Sequence, residues 1–161
     1  MKKLIIGDIH GCFSELQDLI KKASLTSQDE IIALGDIVDR GPDSPKVLDF
    51  FRDNPNAKSL KGNHERKHVR SSMGLLKPAL SQIITRDQIG DKNYKEACDF
   101  MDSLPHFIEL PEAILIHGFW EPGLSLAEQQ EVVLLGVLTG EKHLDKNYSK
   151  PWYDLYDGDK P

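Results

Sequence analysis

Lys3-Leu4-Ile5-Ile6-Gly7-Asp8-Ile9-His10-Gly11 runs three aliphatic side chains together and then turns abruptly polar. A short apolar run closed by glycine reads as a buried strand, here Lys3 to Gly7. A helix is expected from about Cys12 to Ala23, because Phe13, Leu16, Leu19, Ile20 and Ala23 recur at three- and four-residue steps. Ile31 to Leu34 is a second buried strand. Gly41-Pro42-Asp43-Ser44 makes a turn and a cap. The helix after it, about Pro45 to Arg52, carries Val47, Leu48 and Phe51 inward. Lys58 to Leu60 is a third strand. Strand, helix, strand, helix, strand is a parallel α/β unit with right-handed crossovers. Ligands of such sheets gather at the carboxyl ends of the strands.

Beyond Gly62 the pattern loosens. His64 to Met73 and Asn93 to Leu104 read as helices, with a helical excursion between Gly74 and Asp91 broken by Pro78. Phe107 to Leu110 and Ala113 to His117 read as a strand pair around Pro111-Glu112. Leu126 to Leu138 reads as one helix, and Trp152-Tyr153 as the anchor of a polar tail. The 161 residues suit a single domain over 1–161. The longest apolar stretch, Val132 to Leu138, is far short of the ~20 residues that span a bilayer. Cys12 and Cys98 form no disulfide framework, and a cytoplasmic location is expected. A net charge of −6 argues against general nucleic-acid binding, but not against anionic substrates held by a metal, and with so short an apolar stretch no membrane partner is expected. No Gly-x-x-x-x-Gly-Lys-Ser/Thr occurs, which sets aside a P-loop nucleotide binder.

The chemistry sits at the strand ends. Asp8 and His10 are two apart on extended chain, so their side chains share a face and can share a divalent metal. Taken alone, the pair reads equally well as a polar strand end capping a helix. Asp36, in Gly35-Asp36-Ile37-Val38-Asp39-Arg40-Gly41, leaves the neighbouring strand, ~4.8 Å away, and can stand beside Asp8 to bridge two ions. Arg40 offers a bidentate grip on phosphate, although Asp39 and Arg40 also read as an exposed turn pair. Gly62-Asn63-His64-Glu65 supplies a neutral amide oxygen at Asn63 and a candidate proton donor at His64. His117 follows the strand Ala113 to Ile116. Asp8 to Asp36 and Asp36 to Asn63 are 28 and 27 residues apart, one strand–helix unit each, so the motifs recur with the fold. Between Lys58 and Lys77 six Lys/Arg face one acid, Glu65. They are a solvated helix face or a source of positive potential beside the site.

On these motifs the chain resembles a calcineurin-like metallophosphoesterase of the phosphoprotein phosphatase branch. That family's signature is Gly-Asp-x-His-Gly, Gly-Asp-x-x-Asp-Arg-Gly, Gly-Asn-His-Glu and a strand-end histidine. Residues 7–11, 35–41 and 62–65 match the first three in full. The resemblance implies a βαβαβ core in two packed mixed sheets flanked by helices, a four-layer sandwich. It implies two divalent ions, manganese foremost, with iron or zinc also suited to the oxygen and nitrogen ligands. Asp8, His10 and Asp36 would hold the first ion, and Asp36, Asn63 and His117 the second. His64 would protonate the leaving oxygen, Asp39 would orient it, and Arg40, Asn63 and His64 would contact the substrate.

The resemblance has two gaps. The family takes a further metal ligand from a C-terminal Gly-His segment, but the last histidine here is His143 and no Gly-His occurs. The chain is therefore expected to be C-terminally incomplete, with an exposed sheet edge that invites self-association. The last arginine is Arg86, so Lys142 or Lys150 would have to replace a second phosphate-binding arginine. The leading expectation is a phosphatase acting on a phosphoprotein or a small phosphomonoester. The resemblance favours it over a symmetrical dinucleoside tetraphosphate hydrolase, because those enzymes usually replace the acids that stand here as Asp39 and Glu65. A cyclic or polynucleotide phosphoesterase, and a non-catalytic metal-binding module, complete the alternatives.

Overall fold

The computed structural model describes residues 1–158 and 160–161. The chain forms two compact units, Met1–Leu104 and Pro105–Pro161. The first begins β1 (Lys3–Ile6), α1 (Phe13–Ala23), β2 (Glu30–Ala33), α2 (Ser44–Asp53) and β3 (Ala57–Ser59). It continues with α3 (Asn63–Ser72), α4 (Leu80–Ile89) and α5 (Asp91–Ser103). The strands make a parallel sheet in the order β1-β2-β3, with Leu4 opposite Ile31 and Ile31 opposite Ala57. This is the α/β architecture expected from the sequence.

Burial explains the elements. Ile6, Ile31 and Ala33 from the sheet meet Leu16 of α1, Val47, Leu48 and Phe51 of α2, and Ala97 and Met101 of α5 in one cluster. The aliphatic stripe of α1 is narrower than its spacing suggests, since Leu19 stays 40% exposed. Asp43 caps α2 by accepting from Lys46 N at 3.3 Å, and Pro45 sits in the first turn, where no N–H is missed. Past the strand ends the pairing continues through the loops. His10 N and Gly11 N donate to Asp36 O and Ile37 O, each at 2.9 Å. Gly41 is required for that approach, because a Cβ there would lie 2.0 Å from His10 O.

α4 is turned against its own hydrophobicity. Gln82 and Thr85 are buried, while Leu80, Ile83 and Ile84 are exposed. Its inward side chains find polar partners: Thr85 Oγ1 meets Ser44 Oγ at 3.4 Å, and Gln88 Nε2 donates to Gly41 O at 3.1 Å.

The second unit opens with an antiparallel pair, β4 (Phe107–Glu109) and β5 (Ile114–Ile116), which is the strand pair read from the sequence. The single helix expected over Leu126 to Leu138 is absent. In its place stand a 3-10 turn (Leu126–Glu128), α6 (Glu131–Leu134) and α7 (Leu138–Asn147). Gln129 breaks it, because its side chain accepts from Glu121 N at 2.8 Å and donates to Glu121 O at 2.9 Å. That anchorage leaves Gln129 and Gln130 extended. Gly136 then turns left-handed at φ +60°. Trp152 and Tyr153 open the short α8 (Trp152–Leu155), but Tyr153 is 66% exposed, so the expected anchor fails there. The buried indole of this unit is Trp120. Cys98 is buried, and both cysteines are free thiols. No helix among the described residues is long and apolar enough to cross a membrane.

Candidate metal and phosphoryl-transfer site

The loops leaving β1, β2 and β3 hold the residues the sequence singled out. Among the described residues five non-glycine positions have positive φ, and four are His10, Asp36, Asp39 and Arg40. Left-handed backbone costs free energy outside glycine and persists only where the surroundings enforce it, typically at functional sites.

Glu65 supplies that enforcement at Asp36. Its fully buried carboxylate accepts four backbone N–H groups: Gly62 at 2.7 Å and Asp36 at 2.9 Å on Oε2, Ile37 at 2.9 Å and Val38 at 3.3 Å on Oε1. It thereby ties the β2 loop to the start of α3. Burial and the nearby Asp36 charge push its carboxyl up to about 7, against the pull of those N–H donors. Gly62 is forced by the same closeness, since a Cβ would stand 2.2 Å from Asp36 Oδ1.

Around Asp36 the donor atoms converge. His10 Nε2 lies 3.8 Å and His64 Nε2 3.9 Å from Asp36 Oδ2, and Asp8 Oδ2 lies 3.5 Å from His10 Nε2. Such gaps are longer than good hydrogen bonds. They approach the separation of two ligands that each stand ~2.1 Å from a shared ion. His10, Asp36 and His64 each offer an atom within 4.8 Å of the others. His10 Nδ1 donates to Val38 O at 2.9 Å, which fixes the tautomer and turns the Nε2 lone pair into the site. Asp8, His10 and Asp36, two carboxylates and an imidazole, fit a divalent ion of the manganese, iron or zinc type. Asn63 turns its amide toward Asp36, with Nδ2 3.5 Å from Oδ2. Exchange of its amide N and O would present the oxygen instead.

Arg40 lies across these groups. Its Nη1 donates to His10 Nε2 at 2.7 Å and its Nη2 to His64 Nε2 at 3.2 Å. Both imidazoles therefore carry a lone pair at Nε2. His64 Nδ1 donates to Asp39 Oδ2 at 2.6 Å, and Asp39 is fully buried. Burial opposes ionisation of Asp39, but the hydrogen bonds from His64 and His68 outweigh it and hold the carboxyl well below the usual carboxylate range. The sequence reading gave no role to His68, Gln82 or Tyr94. Only His68 left a signal, standing one helical turn after His64 on α3. His117 belongs to the second unit, directly after β5 and half-buried. Its neighbour Gly118 N donates to Leu134 O at 2.7 Å.

Comparison with known proteins agrees with these features. The family described as calcineurin-like phosphoesterase matches residues 1–156. A symmetrical bis(5'-nucleosyl)-tetraphosphatase of Shewanella baltica is 37% identical over 160 residues, which cover 96% of this chain and 58% of the relative. Its counterpart in Shewanella oneidensis is 32% identical over the same shares. The chain thus spans somewhat over half the length of these curated relatives. A crystal structure provisionally described as a diadenosine tetraphosphatase superposes with a TM-score of 0.76 at 26% identity, covering 98% of this chain and 71% of that one. A serine/threonine phosphatase of Saccharomyces cerevisiae, at 19% identity and a TM-score of 0.58, shares the fold alone. These curated relatives are tetraphosphatases, so the expected phosphoprotein phosphatase branch is not shown by them.

Proposed function

The chain belongs to the calcineurin-like phosphoesterases, and from that premise we propose that it hydrolyses a dinucleoside polyphosphate at the His10–Asp36–His64 centre. The carrying observation is the convergence of His10, Asp36 and His64 beneath the Arg40 fork. The tetraphosphatase relatives supply the substrate class.

In this proposal Asp8, His10 and Asp36 hold one divalent ion, and Asp36 and Asn63 contribute to a second. His117 keeps the assignment to that second ion that the sequence motif implies. Two divalent ions held by these residues would supply an acidified water and offset charge on the phosphoryl oxygens, and manganese suits the mixed oxygen and nitrogen ligands. Arg40 binds those oxygens with the planar fork it now spends on His10 and His64. His64 carries a proton at Nε2 to the leaving oxygen, while Asp39 holds its Nδ1–H and steadies the imidazolium.

One observation favours a second reading, phosphomonoester hydrolysis. An anhydride expels a phosphate oxygen that gains little from a proton, whereas an ester expels an alkoxide that depends on one. The His64–Asp39 pair, closed at 2.6 Å, is built for the harder departure. The test is to incubate the chain and Mn²⁺ with diadenosine tetraphosphate, p-nitrophenyl phosphate and a phosphoserine peptide, alongside Asp36→Asn and His64→Ala. Two nucleoside diphosphates from the tetraphosphate, lost in Asp36→Asn, support the main reading. Turnover of the monoesters alone moves the assignment to the second. No turnover of any substrate, with Mn²⁺ bound, overturns both.

A further inference from the structure

Behind the proposed proton donor lies a polar layer that the roles above leave unused. Asp39 Oδ2 accepts from His64 Nδ1 and also from Gln82 Nε2 at 2.5 Å. Its Oδ1 accepts from His68 Nε2 at 2.8 Å. On the far side of that ring, His68 Nδ1 meets the Tyr94 hydroxyl at 2.9 Å. His68 is fully buried, and Gln82 and Tyr94 nearly so. The directions follow from the chemistry. An ionised carboxylate only accepts, so Nε2 of His68 carries the proton. In neutral His68 the Nδ1 lone pair then accepts from the phenol, and Tyr94 fixes that tautomer.

We propose that His68 and Gln82, backed by Tyr94, are positioning residues that lock the Asp39 carboxylate in the one orientation that keeps His64 aimed as a proton donor. The proposal rests on His64 being that donor. Two observations carry it. First, α3, α4 and α5 each contribute one side chain to the layer, in a region whose neighbours Val69, Ala97 and Met101 are apolar. Apolar packing would close the same space without three partnered polar groups. Second, α4 exposes Leu80, Ile83 and Ile84 in order to turn Gln82 and Thr85 inward. That orientation forgoes apolar burial and gains a donor on Asp39. Without these donors the carboxylate could rotate about its Cβ–Cγ bond. His64 would then lose the short Nδ1–H···Oδ2 contact that holds Nε2 toward the leaving oxygen.

The test uses the full chain with Mn²⁺ and two substrates of nearly equal shape, p-nitrophenyl phosphate and phenyl phosphate. Nitrophenolate departs unaided, whereas phenolate benefits from a proton. His68→Phe keeps the ring and removes the donor. It should lower kcat on phenyl phosphate about tenfold or more and leave p-nitrophenyl phosphate within about threefold, with KM and Mn²⁺ stoichiometry unchanged. His68→Gln, whose amide can donate to Oδ1, should recover most of that loss. Gln82→Met and Tyr94→Phe should show the same substrate bias more weakly, and they keep the test open if His68→Phe folds poorly. Equal losses on both substrates in these variants would show a structural role only and overturn the proposal. A second readout needs no turnover: the His64 Nδ1 proton, shifted downfield in NMR by its short bond to Asp39, should move upfield in His68→Phe and return in His68→Gln. An unmoved resonance overturns the proposal. If His64→Ala shows no substrate bias, the proton-donor reading itself has failed, and this resonance alone decides whether the layer positions the imidazole.

Discussion

Replacing Glu65 by Gln should loosen the whole site without touching a proposed ligand. The Glu65 carboxylate takes two backbone N–H groups on each oxygen, all in a fully buried position. Glutamine keeps one oxygen and turns an NH₂ toward the other pair. Either orientation strands two buried N–H donors, Gly62 and Asp36 or Ile37 and Val38. Each stranded donor costs about 1–3 kcal/mol, so the loss should be about 2–6 kcal/mol. Against a total of about 5–15 kcal/mol, this leaves a folded but fragile chain. Urea unfolding at pH 8 with chelator present measures it, with Glu65 ionised above its value of about 7. Calorimetry should also find Mn²⁺ bound roughly 10–100-fold more weakly, because the Asp36 loop is no longer pinned. The pH trend is a second check. The folded value lies above the ordinary 4.5, so this group's contribution is fully present below about 4.5 and is lost as pH rises through about 7. The stability gap between wild type and Glu65→Gln should therefore narrow over that window. A loss under about 1 kcal/mol with Mn²⁺ affinity intact would refute the view that Glu65 braces the site.

Other perturbations test other parts. Gly41→Ala forces a Cβ to 2.0 Å from His10 O and should destabilise by about 3 kcal/mol or more while weakening Mn²⁺ binding, read by thermal unfolding and calorimetry. Asp43→Ala removes the α2 cap and should cost about 1 kcal/mol in urea with no change in metal affinity. Asp29, hydrogen-bonded by Lys2 N, Thr26 N and the Thr26 hydroxyl, has its carboxyl lowered to about 2. Its contribution is present above about 3.8 and lost as pH falls through about 2, so Asp29→Asn should flatten the acid limb of the stability curve. If the proposed tetraphosphatase activity holds, Arg40→Lys replaces a planar fork by a point charge and should lower kcat/KM for diadenosine tetraphosphate by tenfold or more in steady-state assays.

The strand and helix order of the first unit was legible because burial repeats locally. Leu4, Ile5 and Ile6 announce a strand, and Val47, Leu48 and Phe51 a helix face, with no knowledge of partners. The motifs were legible because their spacing equals one strand–helix unit, which delivers Asp8, Asp36 and Asn63 to successive strand ends. Leu126 to Leu138 misled for the matching reason. Its apolar content is helical, but Gln129 is claimed by the backbone of Glu121, eight residues earlier, which no periodicity reports.

By itself, then, the sequence determined the α/β class and singled out the strand-end loops, with most of the side chains proposed to act there. The tertiary structure alone decided how those side chains are held. Arg40 spans His10 and His64, Glu65 gathers four N–H groups, and His68, Gln82 and Tyr94 stand behind Asp39. Most of these bonds join residues 24 to 43 positions apart. Local pattern records which face of an element is buried. It does not record which polar atoms from distant elements meet, because that depends on left-handed turns and close backbone approaches set only when the elements have packed.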